Sequence, residues 1–124
     1  MYTVAVKQDL IAYHYLWGGD WGAENERHAH HYGVEVQVEG KALDKHGFLL
    51  DIIDLEVHLE EVLAYFRDQT LNELPEFAGL NSSLEHFARI VCQELLSRLK
   101  APLWALTVKI WESETIWAAY REER

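Results

Sequence analysis

Apolar and polar residues alternate most clearly through the stretch HAHHYGVEVQVEG, residues 28–40. There Tyr32, Val34, Val36 and Val38 are interleaved with Glu35, Gln37 and Glu39. A period of two sends alternate side chains to opposite faces, so this stretch predicts a half-buried β-strand. Tyr2 to Leu10 mixes β-branched and aromatic residues and predicts a strand before it. Between them WGGDWGAENE, residues 17–26, sets glycines among acids and asparagine and predicts a loop. Gly40 to His46 predicts a turn, after which Gly47 to Asp51 can pair back as a short strand. The period then changes. Leu55, Leu59, Val62, Leu63 and Phe66 follow helical spacing, with Asp51 or Asp54 as the N-cap. A loop runs through Leu74 and Pro75. Ser82-Ser83-Leu84-Glu85 then reads as a capping box, with Ser82 as N-cap and Glu85 at the third helical position. Leu84, Phe87, Ala88, Val91, Leu95 and Leu99 form the apolar stripe of that second helix, and Pro102 lies beyond its end. Trp104, Leu106, Val108 and Ile110 alternate with Thr107 and Lys109 as a further strand, and Ile116 to Tyr120 can return beside it. Strands and helices are segregated along the chain, which predicts an α+β domain with an antiparallel sheet.

Composition narrows the class. At 124 residues the chain suits one domain, spanning residues 1–124. Eleven Lys and Arg against 21 Asp and Glu leave a formal charge of −10, which argues against nucleic acid or an anionic membrane as partner, since both call for a basic surface. No apolar run approaches the roughly 20 residues of a membrane span. The first ten residues lack the basic and apolar regions of a secretory signal. A single cysteine, Cys92, cannot form an internal disulfide and fits a reducing compartment, so a cytoplasmic protein is expected.

Candidate chemistry gathers near the first loop. Four of the seven histidines fall between positions 14 and 31. His28 and His30, two apart on a strand, leave the same face about 7 Å apart, close enough to converge on one metal ion. His14, near the end of the preceding strand, is placed to add a third ligand. Three histidines with an open fourth position suit a catalytic zinc, whereas the same spacing also occurs in ordinary solvated or buried imidazoles. A second candidate is Glu112, which shares the parity of Leu106, Val108 and Ile110 and so falls on an otherwise apolar face. A carboxylate there needs a partner or an outlet to solvent.

Six segments in order carry a family resemblance: "IAYHYL", "HAHHYGVEVQVEG", "HGFLLDIIDLE", "LNELP", "NSSLEHFA" and "VKIWESETIWAAY". Together they resemble the 6-pyruvoyl-tetrahydropterin synthase and 6-carboxy-tetrahydropterin synthase family from about Lys7 to Tyr120. The family pattern has a His at a strand end, then HGH followed by an aromatic and alternating valines. It continues with G-x-x-x-D before the first helix, L-N and P-T-x-E before and at the second, and V-x-V-x-E-T near the end. The resemblance implies a tunnelling fold (T-fold), an antiparallel four-stranded sheet with two helices packed on one face. It also implies trimers closing into a barrel and stacking as hexamers. It implies that His14, His28 and His30 hold Zn2+, that Glu112 anchors a pterin through two parallel hydrogen bonds, and that Ser113 keeps the hydroxyl of the usual Thr. Ala29 replaces the glycine of HGH, at little cost if its φ is negative.

The resemblance breaks at the catalytic set. The family's general-base Cys falls on Glu24, with Glu26 as the alternative, and its Asp-His pair falls on Arg67 and Asp68. Cys92 sits on a helical apolar stripe and reads as a small buried hydrophobe. Glu24 reads either as a proton carrier or as one acid of an acidic loop with Asp20 and Glu26, and Asp68 either takes the lost histidine's part or, the favoured reading, pairs with Arg67 at a helix end. Some family members with Glu in place of Cys are associated with aldolase-like side-chain cleavage giving 6-hydroxymethyl-pterin. The resemblance therefore implies a zinc-dependent pterin lyase acting on dihydroneopterin triphosphate or a related dihydropterin, with queuosine biosynthesis among the pathways open to it. A divergent homologue that binds zinc and a pterin or purine without that reaction is the alternative. The charge bears on this choice: Lys7, Arg27, Lys41, Lys45 and Arg67, the basic residues available for a triphosphate, are scattered in sequence, which favours a less charged pterin.

Overall fold

The computed structural model describes all 124 residues. Its sheet has four strands, β1 (Tyr2–His14), β2 (His28–Gly40), β3 (Ala105–Trp111) and β4 (Trp117–Glu123), in the spatial order β1-β2-β3-β4 with every neighbour antiparallel. Two helices, α1 (Ile52–Phe66) and α2 (Leu84–Arg98), are inserted between β2 and β3. Both cover one face of the sheet, α1 against β1 and α2 against β3 and β4. This is the α+β architecture expected from the segregated pattern.

Parity organises the core. Leu10 and Ala12 of β1, Tyr32, Val34, Val36 and Val38 of β2, and Leu106, Val108 and Ile110 of β3 all point to the helix-covered face. Against them pack Leu55, Leu59, Val62, Leu63 and Phe66 of α1 and Phe87, Val91 and Leu95 of α2. At about 25 cal/mol per Å2, burial of such side chains outweighs any other favourable contribution to the fold. Cys92 lies in this core with its thiol against the Leu106 carbonyl, and burial pushes its pKa up to about 12.

Several local expectations are corrected. β1 runs on past Leu10 to His14, because its last residues stay paired with β2 from Ile11–His31 through to His14–His28. Residues 47–51 form no strand; Asp44 instead caps the turn by accepting from the backbone amides of His46 and Phe48. Asp51, not Asp54, is the N-cap of α1, its carboxylate accepting from the amides of Ile53 and Asp54. The N-cap of α2 is Ser83 rather than Ser82, its hydroxyl accepting from the His86 amide at 3.2 Å. β3 starts at Ala105, one residue after the exposed Trp104. Ala29 has a negative φ, so the methyl in place of glycine costs no backbone strain.

Candidate functional site

The histidines end up on the helix-covered face at one end of the sheet. His14 and His28 are paired residues across β1 and β2, and His30 follows two positions on. Their rings stand 4.5–4.9 Å apart, centroid to centroid. Glu24, on a short 3-10 turn at Gly22–Asn25, closes the group. Its Oε2 lies 2.7 Å from His28 Nε2 and 4.0 Å from Nε2 of both His14 and His30. One donor atom from each of the four residues falls within 4.8 Å of the others.

The donor atoms are prepared as ligands. His14 is 5% exposed, and its Nδ1 donates to the Ser82 carbonyl at 2.9 Å, leaving Nε2 unprotonated. That Nε2 is buried with no hydrogen-bond partner, an orphan that a cation would satisfy. His28 Nδ1 likewise donates to the Glu26 carbonyl at 2.7 Å. Metal-binding histidines characteristically commit one ring nitrogen to a carbonyl or carboxylate and present the other to the ion. Burial lowers the His14 pKa and outweighs the opposing bond to Ser82, while His30 and His28 add to the lowering, so the neutral, ligating form is favoured. Three imidazoles and a carboxylate are a donor set that suits zinc. The residues present fit the metal.

Several residues that periodicity did not single out build this site. Asn72 accepts from the Tyr15 amide at 3.0 Å and donates to the Tyr15 carbonyl at 2.8 Å. Asn81 does the same for Trp17, at 3.1 and 2.9 Å. The two side-chain amides thus clamp alternate peptides just after β1, as a neighbouring strand would. Between them, Leu16 donates its amide to the Glu24 carbonyl at 2.8 Å and accepts from Asn25 Nδ2 at 3.0 Å. The loop that carries Glu24 is therefore tied to the clamped segment. The signal in the sequence was the presence of these asparagines in the segments LNELP and NSSLEHFA that carry the family resemblance. Tyr32, which the alternation of β2 placed on the apolar face, also borders the site: buried, it packs edge-on against Phe87 and lies 5.5 Å from the His30 ring. Burial raises its phenol pKa, and the charges of Glu112 and then Glu24 raise it further, so both carboxylates bear on this side chain.

Glu112 lies one position past β3, whose last pair is Gly33–Trp111, and is half-buried. Its amide donates to the Ile116 carbonyl at 3.1 Å, closing the β3–β4 turn, and the residue lines a cavity of about 660 Å3 with Ser113, Trp111, Lys7, Asp9 and His31, on the open face of the sheet rather than among the histidines. Of the two acids aligned with the family's Cys, the structure brings Glu24 to the histidines, while Glu26 contributes its backbone carbonyl. Asp68 is not brought there. It follows α1 in the left-handed region at φ 62°, its amide donates to the Ile11 carbonyl at 2.8 Å, and it borders a groove with Asp9, His31 and Arg67. Arg67 pairs with Glu60 at 2.9 Å, not with Asp68. Of the basic residues, Lys7 lies over Trp111, where Lys109 also stacks, Arg27 lies over Tyr13, and Lys41 over Trp104 at the far end of the sheet.

Residues 3–123 match the profile of the 6-pyruvoyl tetrahydropterin synthase family. The chain belongs to this family. It is 31% identical over 98 residues to 6-pyruvoyl tetrahydrobiopterin synthase of Dictyostelium discoideum, covering 77% of this chain and 71% of that protein. Against a putative 6-carboxy-5,6,7,8-tetrahydropterin synthase of Archaeoglobus fulgidus it is 30% identical over 95 residues, covering 76% of this chain and 75% of the other. Its fold superposes on 6-pyruvoyl tetrahydropterin synthase of Caenorhabditis elegans with a TM-score of 0.84 at 23% identity, covering 98% and 96% of the two chains. A dihydroneopterin aldolase structure described as putative, from Vibrio cholerae, shares the fold more distantly, with a TM-score of 0.59 at 14% identity over 100% and 98% of the chains. Four strands, two helices and these neighbours make this a T-fold. No helix is long and apolar enough to cross a membrane.

Proposed function

We propose that this family member is a zinc-dependent pterin lyase in which a glutamate, Glu24, does the proton transfer usually done by the family's cysteine. One observation carries the proposal: a carboxylate stands within reach of three clustered imidazole nitrogens at a position where the family pattern has a thiol. His14, His28 and His30 would hold the metal, which when bound supplies Lewis-acid polarisation of a substrate side-chain oxygen. Glu112 accepts the ring N–H and 2-amino hydrogens of the pterin, a bidentate geometry that suits a carboxylate. Glu24 takes a proton from the substrate side chain as its bond breaks and returns it to the product, remaining unchanged overall. Asp68, held at the exit of α1 and away from the histidines, is assigned no step. A Plasmodium vivax 6-pyruvoyltetrahydropterin synthase of the same fold, with a TM-score of 0.80 at 15% identity, was solved as a variant whose catalytic glutamate is replaced by alanine. A glutamate therefore serves as a catalytic residue in that protein, which supports the part given to Glu24.

The formal charge of −10 favours a dihydropterin without a triphosphate. The free outer edges of β4 and of Tyr2–Asp9 in β1 suit edge-to-edge closure into a trimeric barrel, or a hexamer of two trimers. The test is direct: zinc-loaded protein is incubated with dihydroneopterin and, separately, with its triphosphate, and products are identified by mass spectrometry. A cleaved side chain from dihydroneopterin, with turnover lowered about 10²–10⁴-fold in Glu24→Ala at unchanged zinc content, is the expected result. Full turnover in that variant removes Glu24 from the reaction.

A further inference from the structure

Ser82 is buried, 2% exposed, and its hydroxyl is not spent on capping α2, since Ser83 does that. Instead it turns towards the end of β1. Ser82 Oγ lies 3.2 Å from His14 Nδ1, 3.0 Å from Asn72 Oδ1 and 3.2 Å from the Tyr15 carbonyl. A hydroxyl has one hydrogen to give, and the carboxamide oxygen and the carbonyl are both acceptors, so that hydrogen goes to Asn72 or Tyr15. The oxygen's lone pairs are then left to face His14. The Nδ1–H of His14 is shared between the Ser82 carbonyl at 2.9 Å and the Ser82 hydroxyl at 3.2 Å. Two acceptors from one residue bracket a single N–H, fixing both the tautomer and the ring plane.

We infer that Ser82 is a positioning residue for His14, holding its unprotonated Nε2 on the metal. The inference rests on the zinc site proposed above. The family's P-T-x-E pattern has a proline where Ser82 stands, and a proline offers the carbonyl but no hydroxyl. Ser82 and Asn72 therefore form a polar link between the start of α2 and the end of β1 that the pattern residue cannot make. Groups of this kind behind a metal ligand typically contribute about ten- to a hundredfold in affinity. With the carbonyl retained, loss of the hydroxyl alone belongs near the lower end.

The experiment compares Ser82→Ala, Ser82→Thr and Ser83→Ala in the full chain. Zinc affinity is measured by competition with a chromogenic chelator, the Co2+ complex by its visible absorption, and the metal-free fold by thermal melting. Ser82→Ala is expected to weaken zinc binding about tenfold and alter the Co2+ spectrum, with Ser82→Thr, which keeps the hydroxyl, close to the parent. Ser83→Ala removes a helix cap and serves as the structural control, lowering the melting temperature while leaving zinc affinity within about twofold. Unchanged affinity in Ser82→Ala, an equal loss in Ser83→Ala, or a loss in Ser82→Thr as large as in Ser82→Ala each overturns the role. If Ser82→Ala does not fold, parent-like affinity in the threonine variant upholds the role. A parent chain that takes up no zinc refutes the metal site itself, and is told apart because it needs no variant.

Discussion

His30 and His31 are neighbours in the chain, yet they belong to different regions of the molecule. His30 points to the helix-covered face, among His14, His28, Glu24 and Tyr32. His31 points to the open face, its side chain 67% exposed, and makes a 3.3 Å contact with Asp9. Both regions are rich in imidazole and carboxylate. The difference lies in what stands behind the donors. On the covered face the loops before β2 and before α2 set the Glu26 and Ser82 carbonyls against His28 and His14, with asparagine amides bracing those loops, so the orientation of these two rings is decided before any ligand arrives. On the open face the Asp9–His31 contact is solvated on both sides, and such pairs add about 0–1 kcal/mol at most. What sets the covered-face histidines apart is their supporting shell, not their number.

The comparison can be broken by single substitutions. The largest effect is expected from His30→Ala, which should abolish stoichiometric zinc uptake, while His31→Ala leaves it at about one ion per chain by elemental analysis. Zinc loss in His31→Ala would show that the open face takes part in the metal site. Next, Glu112→Ala should weaken pterin binding by about 1.5–3 kcal/mol, roughly ten- to a hundredfold, since hydrogen bonds to a charged group are at stake. Isothermal titration with a non-reacting pterin measures this, and Lys7→Ala, across the same cavity on the open face, should change it little. Smaller still is Asp68→Asn, for which turnover within about twofold of the parent is expected; a large loss would assign Asp68 a chemical part. Finally, Cys92 sits in the core with its pKa near 12, so it stays a thiol at pH 8. A thiol reagent at that pH should label it only at the rate of global unfolding, whereas rapid labelling would mean that the sheet–α2 interface opens easily.

Much of the fold was legible because periodicity is a local property. The alternation of Val34, Val36 and Val38 and the helical spacing of Leu55, Leu59 and Leu63 announce their elements without reference to the rest of the chain. The misplacements share one cause, competition between short-range signals. Ser82 and Ser83 satisfy the same capping preference, and only the position of β1 decides which hydroxyl serves α2 and which serves His14. Gly47–Asp51 has the length of a strand, but β1 and β3 already occupy both edges of β2. The candidate metal ligands were legible as a motif. Their competence was not, because His14 depends on partners 68 residues away.

By itself, then, the sequence determined the order of elements, the face on which each strand residue falls, and the three histidines with Glu24 nearby as the chemistry to examine. It also determined the net charge of −10, which composition expresses without folding. Tertiary structure alone decided that Glu24 rather than Glu26 meets the imidazoles, that Asp68 stays away from them, and that Asn72, Asn81 and Ser82 hold the site. These outcomes turn on contacts between residues far apart in the chain, and such contacts follow from how the two helices close over the sheet, not from any local pattern.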